Sequence, residues 1–148
     1  MSPPKVQILL VEDNPGDVGL VQEAFHEGRL LHELHVAKDG VEALRFLRRE
    51  GRYAGAPRPD LILLDLNLPK KDGREVLDDV KNDPSLREIP VIVLTTSDDE
   101  GDVHKAYRLH ANCYLTKPVD MDDFIHKIRG IEEFWLTIVR LPSNQVAG

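Results

Sequence analysis

Four apolar runs in this chain each end in residues that could do chemistry. Val6–Val11 gives way to Glu12-Asp13, the run 61–64 to Asp65, the run 91–94 to Thr95-Thr96, and Tyr114-Leu115 to Thr116-Lys117-Pro118. Brought to one place, three carboxylates, a hydroxyl and an ammonium suit phosphoryl transfer, which asks for an oxygen nucleophile, countercharge on the equatorial oxygens and in-line geometry. Taken singly, each part has a plainer reading. A Glu-Asp pair is usually a solvated turn, a threonine after a strand usually caps a helix, and a lysine usually sits in water. The case for chemistry therefore rests on whether the fold gathers them.

The elements that would gather them are legible in the same runs. The stretch 60–69 is apolar without alternation until Asp65, as a strand is when helices cover both its faces in a parallel sheet. In open α/β sheets, ligands bind at the carboxyl ends of such strands. Asn14-Pro15-Gly16-Asp17 starts a helix with Leu20, Val21, Ala24 and Phe25 facing inward and Gly28 closing it. A short second strand covers 34–37, and Asp39-Gly40 opens a helix whose buried stripe is Val41, Leu44 and Leu47, with Ala43 and Phe46 at its margin. Arginine, glycine and proline over 48–59 predict a solvated loop with no core to contribute. Asp72-Gly73 turns into a helix carrying Val76, Leu77 and Val80, Asn82-Asp83-Pro84 stops it, and Leu86 and Ile89 pack in the loop before the strand 91–94. Residues 98–109 form a charged, thinly apolar fourth helix suited to a switch. A fifth strand spans 113–115, and a last helix runs over about 120–139. Strand and helix alternating in this way predict a doubly wound α/β domain on a parallel sheet.

Composition narrows the function further. At 148 residues and 41% hydrophobic, the chain fits one domain with its own core. A net charge of -7 offers no basic surface for phosphate backbones, so nucleic-acid binding is not expected. The single cysteine, Cys113, rules out an intramolecular disulfide and a multi-cysteine metal site, and is expected to be buried. His26, His32, His35, His104, His110 and His126 do not pair at metal spacing with a strand-end carboxylate and read as structural or solvated. No run approaches the roughly 20 apolar residues of a membrane span. With no signal-peptide pattern at the start, the expected location is the cytoplasm.

Glu12-Asp13-Asn14, Leu64-Asp65-Leu66-Asn67-Leu68-Pro69, Asp72-Gly73, Thr95-Thr96 and Tyr114-Leu115-Thr116-Lys117-Pro118 together resemble the receiver domain of bacterial two-component response regulators. The intervals of 30 residues from Asp65 to Thr95 and 22 from Thr95 to Lys117 fit that pattern. The longer forms Glu12-Asp13-Asn14-Pro15-Gly16-Asp17 and Leu68-Pro69-Lys70-Lys71-Asp72-Gly73, with Phe134-Trp135-Leu136, resemble more narrowly the single-domain regulators that partner bacterial phytochrome kinases. The resemblance implies a flavodoxin-like (βα)5 receiver over 5–130, with strand order 2-1-3-4-5, and an extension over 131–148. It implies Asp65 as phosphoacceptor for a sensor histidine kinase, the protein catalysing only its own phosphorylation and dephosphorylation. Glu12, Asp13, Asp65 and the Asn67 carbonyl would hold the metal. An oxygen-only set with retained waters favours Mg²⁺ over zinc. Lys117 and Thr95 would contact phosphoryl oxygens, with Thr96 beside them, and a cis peptide before Pro118 would aim Lys117. Thr95 and Tyr114 would be the switch pair, changing the face made by the fourth helix, the fifth strand and the last helix. Two features depart from the family: the 48–59 loop lengthens the interval from Asp13 to Asp65, and His110 stands where receivers usually carry glycine, at some strain cost.

Rival readings share the fold. An aspartyl-phosphate phosphohydrolase needs a general acid two residues after the nucleophile, where this chain has Asn67. A flavodoxin-like cofactor-binding module needs a phosphate-cradling loop after the first strand, where Glu12 and Asp13 would repel phosphate unless a cation intervened. At the other end, Met121, Phe124, Ile125 and Ile128 suffice to dock the last helix, yet Ile131, Phe134, Trp135, Ile138 and Val139 continue its apolar spacing. The second half should project past the domain, which predicts a homodimer through the C-terminal helix around Phe134, Trp135 and Ile138.

Overall fold

A computed structural model of the chain describes residues 5–27, 32–66, 68–95 and 113–116, with Ala24, Glu27, Thr95 and 113–116 as backbone alone. The elements follow one another as β1 (Val6–Val11), α1 (Pro15–Glu27), β2 (His32–Ala37), α2 (Gly40–Arg48), a 3-10 turn (Gly51–Tyr53), β3 (Leu61–Asp65), α3 (Gly73–Asn82), β4 (Val91–Thr95) and β5 (Cys113–Thr116). The strands form one parallel sheet in the order β2-β1-β3-β4-β5. The expected fourth and last helices, Gly28 and the C-terminal extension lie outside the described residues.

The unbroken apolar runs arise because each central strand feeds two cores. Leu9, Val11, Ile62, Leu64, Val91 and Val93 face α2 and α3, where they meet Leu44, Phe46, Val76, Leu77 and Val80. The alternate residues Ile8, Leu10, Leu61, Leu63, Ile92 and Leu94 turn the other way and pack with Val21 and Phe25 of α1. With helices on both faces, no strand position is left for a polar side chain until the strand ends. Leu86 and Ile89 are buried in the connection before β4, as their apolar character predicted. Lys81 holds that connection: its Nζ donates to the carbonyls of Arg87 (3.1 Å) and Ile89 (2.9 Å), and burial pushes its ammonium below the usual lysine range.

Two expectations from the sequence are corrected. In α2 the buried residues are Gly40, Ala43, Leu44, Phe46 and Leu47, while Val41 is 36% exposed. Steps of three residues drift around a helix with 3.6 residues per turn, so a stripe through 41, 44 and 47 leaves the core face at its first member. Ala43 and Phe46 belong to the centre of the buried face instead of its margin. The second correction concerns the 48–59 loop, which is built into the fold. Arg49 ends α2 in the left-handed conformation (φ 56°), and the Glu50 amide donates to the Arg45 carbonyl, the geometry of a left-handed helix stop. The chain then turns back along α2. The Tyr53 ring meets the Phe46 ring edge-on at 5.5 Å, Phe46 lies 5.3 Å from the His35 ring, Tyr53 and Ala56 pack on the core, and Pro59 is buried. The Tyr53 hydroxyl and Arg52 Nη2 both donate to Glu42.

The edge strand β2 starts at His32, two residues before the expected 34–37 span. Its histidines are structural: His32 lies 5.2 Å from the Phe25 ring, and His35 Nε2 shares a hydrogen bond of 2.8 Å with the Gln7 side chain.

The hydrogen bond from Tyr53 is the main cause holding the Glu42 carboxyl below its ordinary value of 4.5, and burial is the first cause pushing the Tyr53 hydroxyl up from 10.0. A lowered folded-state value makes Glu42 stabilising above its unfolded value, and that contribution is lost as pH falls through the folded one. Tyr53→Phe should therefore cost about 1 kcal/mol at neutral pH, and the difference from the parent protein should shrink in acid. Urea unfolding of both proteins at the two pH values checks this; an equal loss at both would show that Tyr53 acts by packing alone.

Candidate receiver site at the strand ends

The strand register brings the acids together. Ile8, Leu9, Leu10 and Val11 pair with Leu61, Ile62, Leu63 and Leu64, so Glu12 and Asp65 are the next residues on two adjacent strands. At the opposite end the register is pinned by Asp60, whose amide donates to the Gln7 carbonyl (2.7 Å) and whose Oδ2 accepts from the Gln7 amide (2.8 Å). Beyond Val11, the Glu12 amide donates to the Ala37 carbonyl (3.0 Å) and prolongs the pairing with β2. Glu12 Oε1 then accepts from the Asn14 amide (3.1 Å). Asn14 in turn caps α1: its Oδ1 accepts from Gly16 (2.8 Å) and Asp17 (3.2 Å), and Pro15 occupies the first helical position, where no amide is needed. Asp13 is thus held between a strand end and a helix cap.

The result is a cluster in which Glu12, Asp13 and Asp65 each offer an oxygen within 4.8 Å of the others. Glu12 is 1% and Asp65 3% exposed, whereas Asp13 is open to solvent. Carboxylates this close repel one another, and burial of two of them sharpens the repulsion. An all-oxygen, anionic set with one open side fits a hard divalent cation that keeps some of its water, and does not fit a sulfur- or imidazole-bound metal.

The loop after β3 completes the described part of the rim. The Leu66 amide donates to the Leu94 carbonyl (3.1 Å), the Gly73 amide to the Leu66 carbonyl (3.1 Å), and the Lys71 amide to the Pro69 carbonyl (2.7 Å) across Lys70, whose φ is 64°. Lys70 Nζ lies 3.5 Å from Asp39 Oδ2. Asp72 caps α3 by accepting from the Arg74 amide (2.7 Å), as the Asp72-Gly73 pair predicted. Gly73 also has a role that its sequence signature as a turn residue did not reveal. A Cβ there would lie 2.2 Å from the Asp65 carbonyl oxygen and 2.6 Å from the Leu66 Cα. The start of α3 is thus laid directly against the backbone that carries Asp65. Similarly, a Cβ on Gly40 would lie 2.3 Å from the Lys71 carbonyl oxygen, so α2 leans on the same loop.

Of the residues singled out in the sequence, Glu12, Asp13 and Asp65 are brought together. Thr95 is the last residue of β4, one position past the Leu94 that pairs with Asp65, and its backbone pairs with Thr116. Tyr114 pairs with Val93 on β5. Asn67, Thr96, Lys117, Pro118, Phe134, Trp135 and Ile138 lie outside the described residues. The participation of Lys70 and Asp39 in the rim was not read from the sequence, where a lysine in a loop and an aspartate before a helix carry no pairing signal.

A flavodoxin-like parallel sheet with an acid triad at its carboxyl edge defines a receiver, and residues 8–129 match the response regulator receiver domain: the chain belongs to that family. It is similar to the response regulator Rcp1 of Synechocystis sp., with 55% identity over 142 residues and 96% of each chain covered. It is also similar to FilR2 of Methanothrix harundinacea, a probable methanogenesis regulatory protein, with 43% identity over 137 residues, covering 92% of this chain and 87% of that one. Among solved structures, the phosphorylated cyanobacterial phytochrome response regulator RcpA superposes with a TM-score of 0.81 at 54% identity, covering 90% of this chain and 96% of that one. The Mn²⁺-bound form of Rcp1 superposes with a TM-score of 0.80 at 54% identity, covering 91% and 96%.

The contact at Gly73 yields a test. Gly73→Ala can be relieved only by moving the Asp65 backbone or the start of α3, so it should cost about 1–3 kcal/mol of stability and also weaken divalent-cation binding. Urea unfolding and calorimetric titration with Mn²⁺ measure both. A variant with full stability and unchanged Mn²⁺ affinity would show that the loop has room to spare.

Proposed function

We propose that this chain is a response regulator in which Asp65 accepts a phosphoryl group from a sensor histidine kinase in a Mg²⁺-dependent reaction. The observation that supports this most strongly is the convergence of Glu12, Asp13 and Asp65 at the ends of adjacent strands. These three carboxylates, with the Asn67 carbonyl, would hold the cation. When bound, Mg²⁺ supplies the positive charge that lets a phosphoryl group approach an anionic site. An Asp65 carboxylate oxygen attacks the phosphorus of a kinase phosphohistidine. The phosphorus–nitrogen bond breaks, its electron pair returns to the imidazole, and an acyl phosphate is left on Asp65. Lys117 takes one phosphoryl oxygen as a point charge, and Thr95, with Thr96 beside it, donates to another. Drawing Thr95 inward leaves room for Tyr114 to turn, which biases the surface of the fourth helix, β5 and the last helix. Such a protein catalyses only its own phosphorylation and dephosphorylation. The likeness to RcpA, a phytochrome response regulator, supports a phytochrome-type kinase as the partner.

The receiver unit in this reading is 5–130, and 131–148 is a C-terminal arm that pairs two copies through Phe134, Trp135 and Ile138. The support is the apolar helical spacing that continues past Ile128.

With Mg²⁺ and a small acyl phosphate, mass spectrometry should find one phosphoryl adduct, on Asp65, and Asp65→Asn should abolish it. An adduct of unchanged yield elsewhere in that variant would overturn the assignment. For the arm, sedimentation of the full chain should show dimers at tens of micromolar that fall apart in a Phe134→Asp, Trp135→Asp variant. A chain that stays monomeric, phosphorylated or not, would remove the arm from the proposal.

A further inference from the structure

The net charge of -7 conceals a local reversal: residues 45–58 hold five arginines and one acid, Glu50. All five, Arg45, Arg48, Arg49, Arg52 and Arg58, are exposed. Arg45 and Arg48 stand one helical step apart on α2, and Arg49 follows as the left-handed residue that ends it. The returning loop adds Arg52, whose guanidinium is fixed by Glu42 and lies 4.8 Å over the Tyr53 ring. Between α2, this loop and Lys70 is a cleft of about 280 Å³, lined by Val41, Arg45, Gly51, Arg52, Tyr53 and Lys70 together with three acids. Val41 is one of two large apolar side chains exposed among the described residues.

We propose that this flank, α2 with the 49–59 loop, is a docking surface for an acidic segment of a partner protein, with an apolar side chain of that segment resting on Val41 and Tyr53. The cleft itself is balanced, three cations against three acids, with Arg52 and Lys70 paired to Glu42 and Asp39; the positive excess that selects an acidic occupant comes from Arg48, Arg49 and Arg58, exposed on the same flank outside the lining. Guanidinium groups bind carboxylates bidentately, and Arg52 is already held in place by Tyr53 and Glu42, so less side-chain freedom is lost on binding. Asp39, Glu42 and Glu50 line the same cleft and would meet an unbroken row of phosphates with repulsion. A peptide can place its carboxylates opposite the arginines and its neutral residues opposite the acids. A lipid surface is disfavoured by the overall negative charge and by Val41 being the single apolar side chain the cleft leaves exposed. Lys70 and Asp39 reach this cleft from the receiver rim, whereas the arginines of α2 and of the returning loop take no part in holding the phosphoacceptor.

The test uses the full chain and a fluorescent synthetic peptide of alternating glutamate and leucine, beside its glutamine-for-glutamate counterpart, a duplex oligonucleotide and phosphatidylserine vesicles. The glutamate peptide should bind about tenfold more tightly than its counterpart, with amide shifts concentrated at Val41, Arg45, Arg52 and Tyr53. Arg45→Glu with Arg48→Glu should remove that advantage, and Arg45→Gln with Arg48→Gln, gentler on the helix end, should reduce it part-way. Phosphoryl uptake at Asp65 from a small acyl phosphate should be unchanged in both variants, so failure here and failure of the phosphoacceptor reading are distinguishable. Equal binding of the two peptides, tighter binding of the oligonucleotide or vesicles, or binding untouched by either double variant would overturn the proposal. So would self-association of the chain through these same arginines.

Discussion

The pairing of β1 with β3 is the constraint on which the rest of the molecule depends, because it decides where two buried carboxylates end up. Val11 lies opposite Leu64, so Glu12 and Asp65 leave the sheet side by side. A slip of one residue would send every side chain of β3 to the other face, exchange the two cores and take Asp65 away from its partners. The register is secured at its start and along its length: the Asp60–Gln7 bonds fix the start, and interlocked aliphatic side chains on both faces fix the body. Acids at this separation resist one another, so the apolar burial along the strands is what holds them at a rim they would otherwise leave.

That division of labour explains what the sequence disclosed. A strand buried on both faces must be apolar throughout and must turn polar where it emerges, so β1, β3 and β4 and the acids or hydroxyls at their ends were legible from composition along the chain. Caps were legible for a related reason: Asn14, Asp39 and Asp72 each satisfy amides that the first turn of a helix leaves open, and few residue types can do so. The strand order was not legible from the residues; it came with the family resemblance, and the β2-β1-β3-β4-β5 sheet has that order.

The misreadings share a cause too. The buried face of α2 was drawn through Val41 because three-residue steps look regular in a sequence, while the core sees the 3.6-residue turn. The 48–59 loop was read as solvated because its arginines and glycines dominate its composition, yet a single tyrosine decides its path. Tyr53 lies edge-on to Phe46 and donates to Glu42, and those partners are seven and eleven residues away on another element, beyond the reach of local pattern. Gly73 was legible as a turn, but the 2.2 Å approach that makes its missing Cβ necessary depends on the position of the Asp65 carbonyl in space.

The same close approaches connect the rim to the flank of α2. Two links run between them, the Lys70–Asp39 ion pair and the seating of Gly40 against the Lys71 carbonyl. The ion pair has a lysine side chain 70% exposed to solvent, and such pairs contribute little because water screens them and the long side chain loses freedom. The backbone seating is different in kind. A loop with no space for a Cβ on one side at Gly40 and on the other at Gly73 cannot move without displacing α2 or α3, since packed interiors shift between discrete arrangements instead of yielding smoothly. Steric contact at these two glycines, more than charge, is therefore what ties the β3–α3 loop, and the aspartate at its origin, to the arginine-bearing side of the domain.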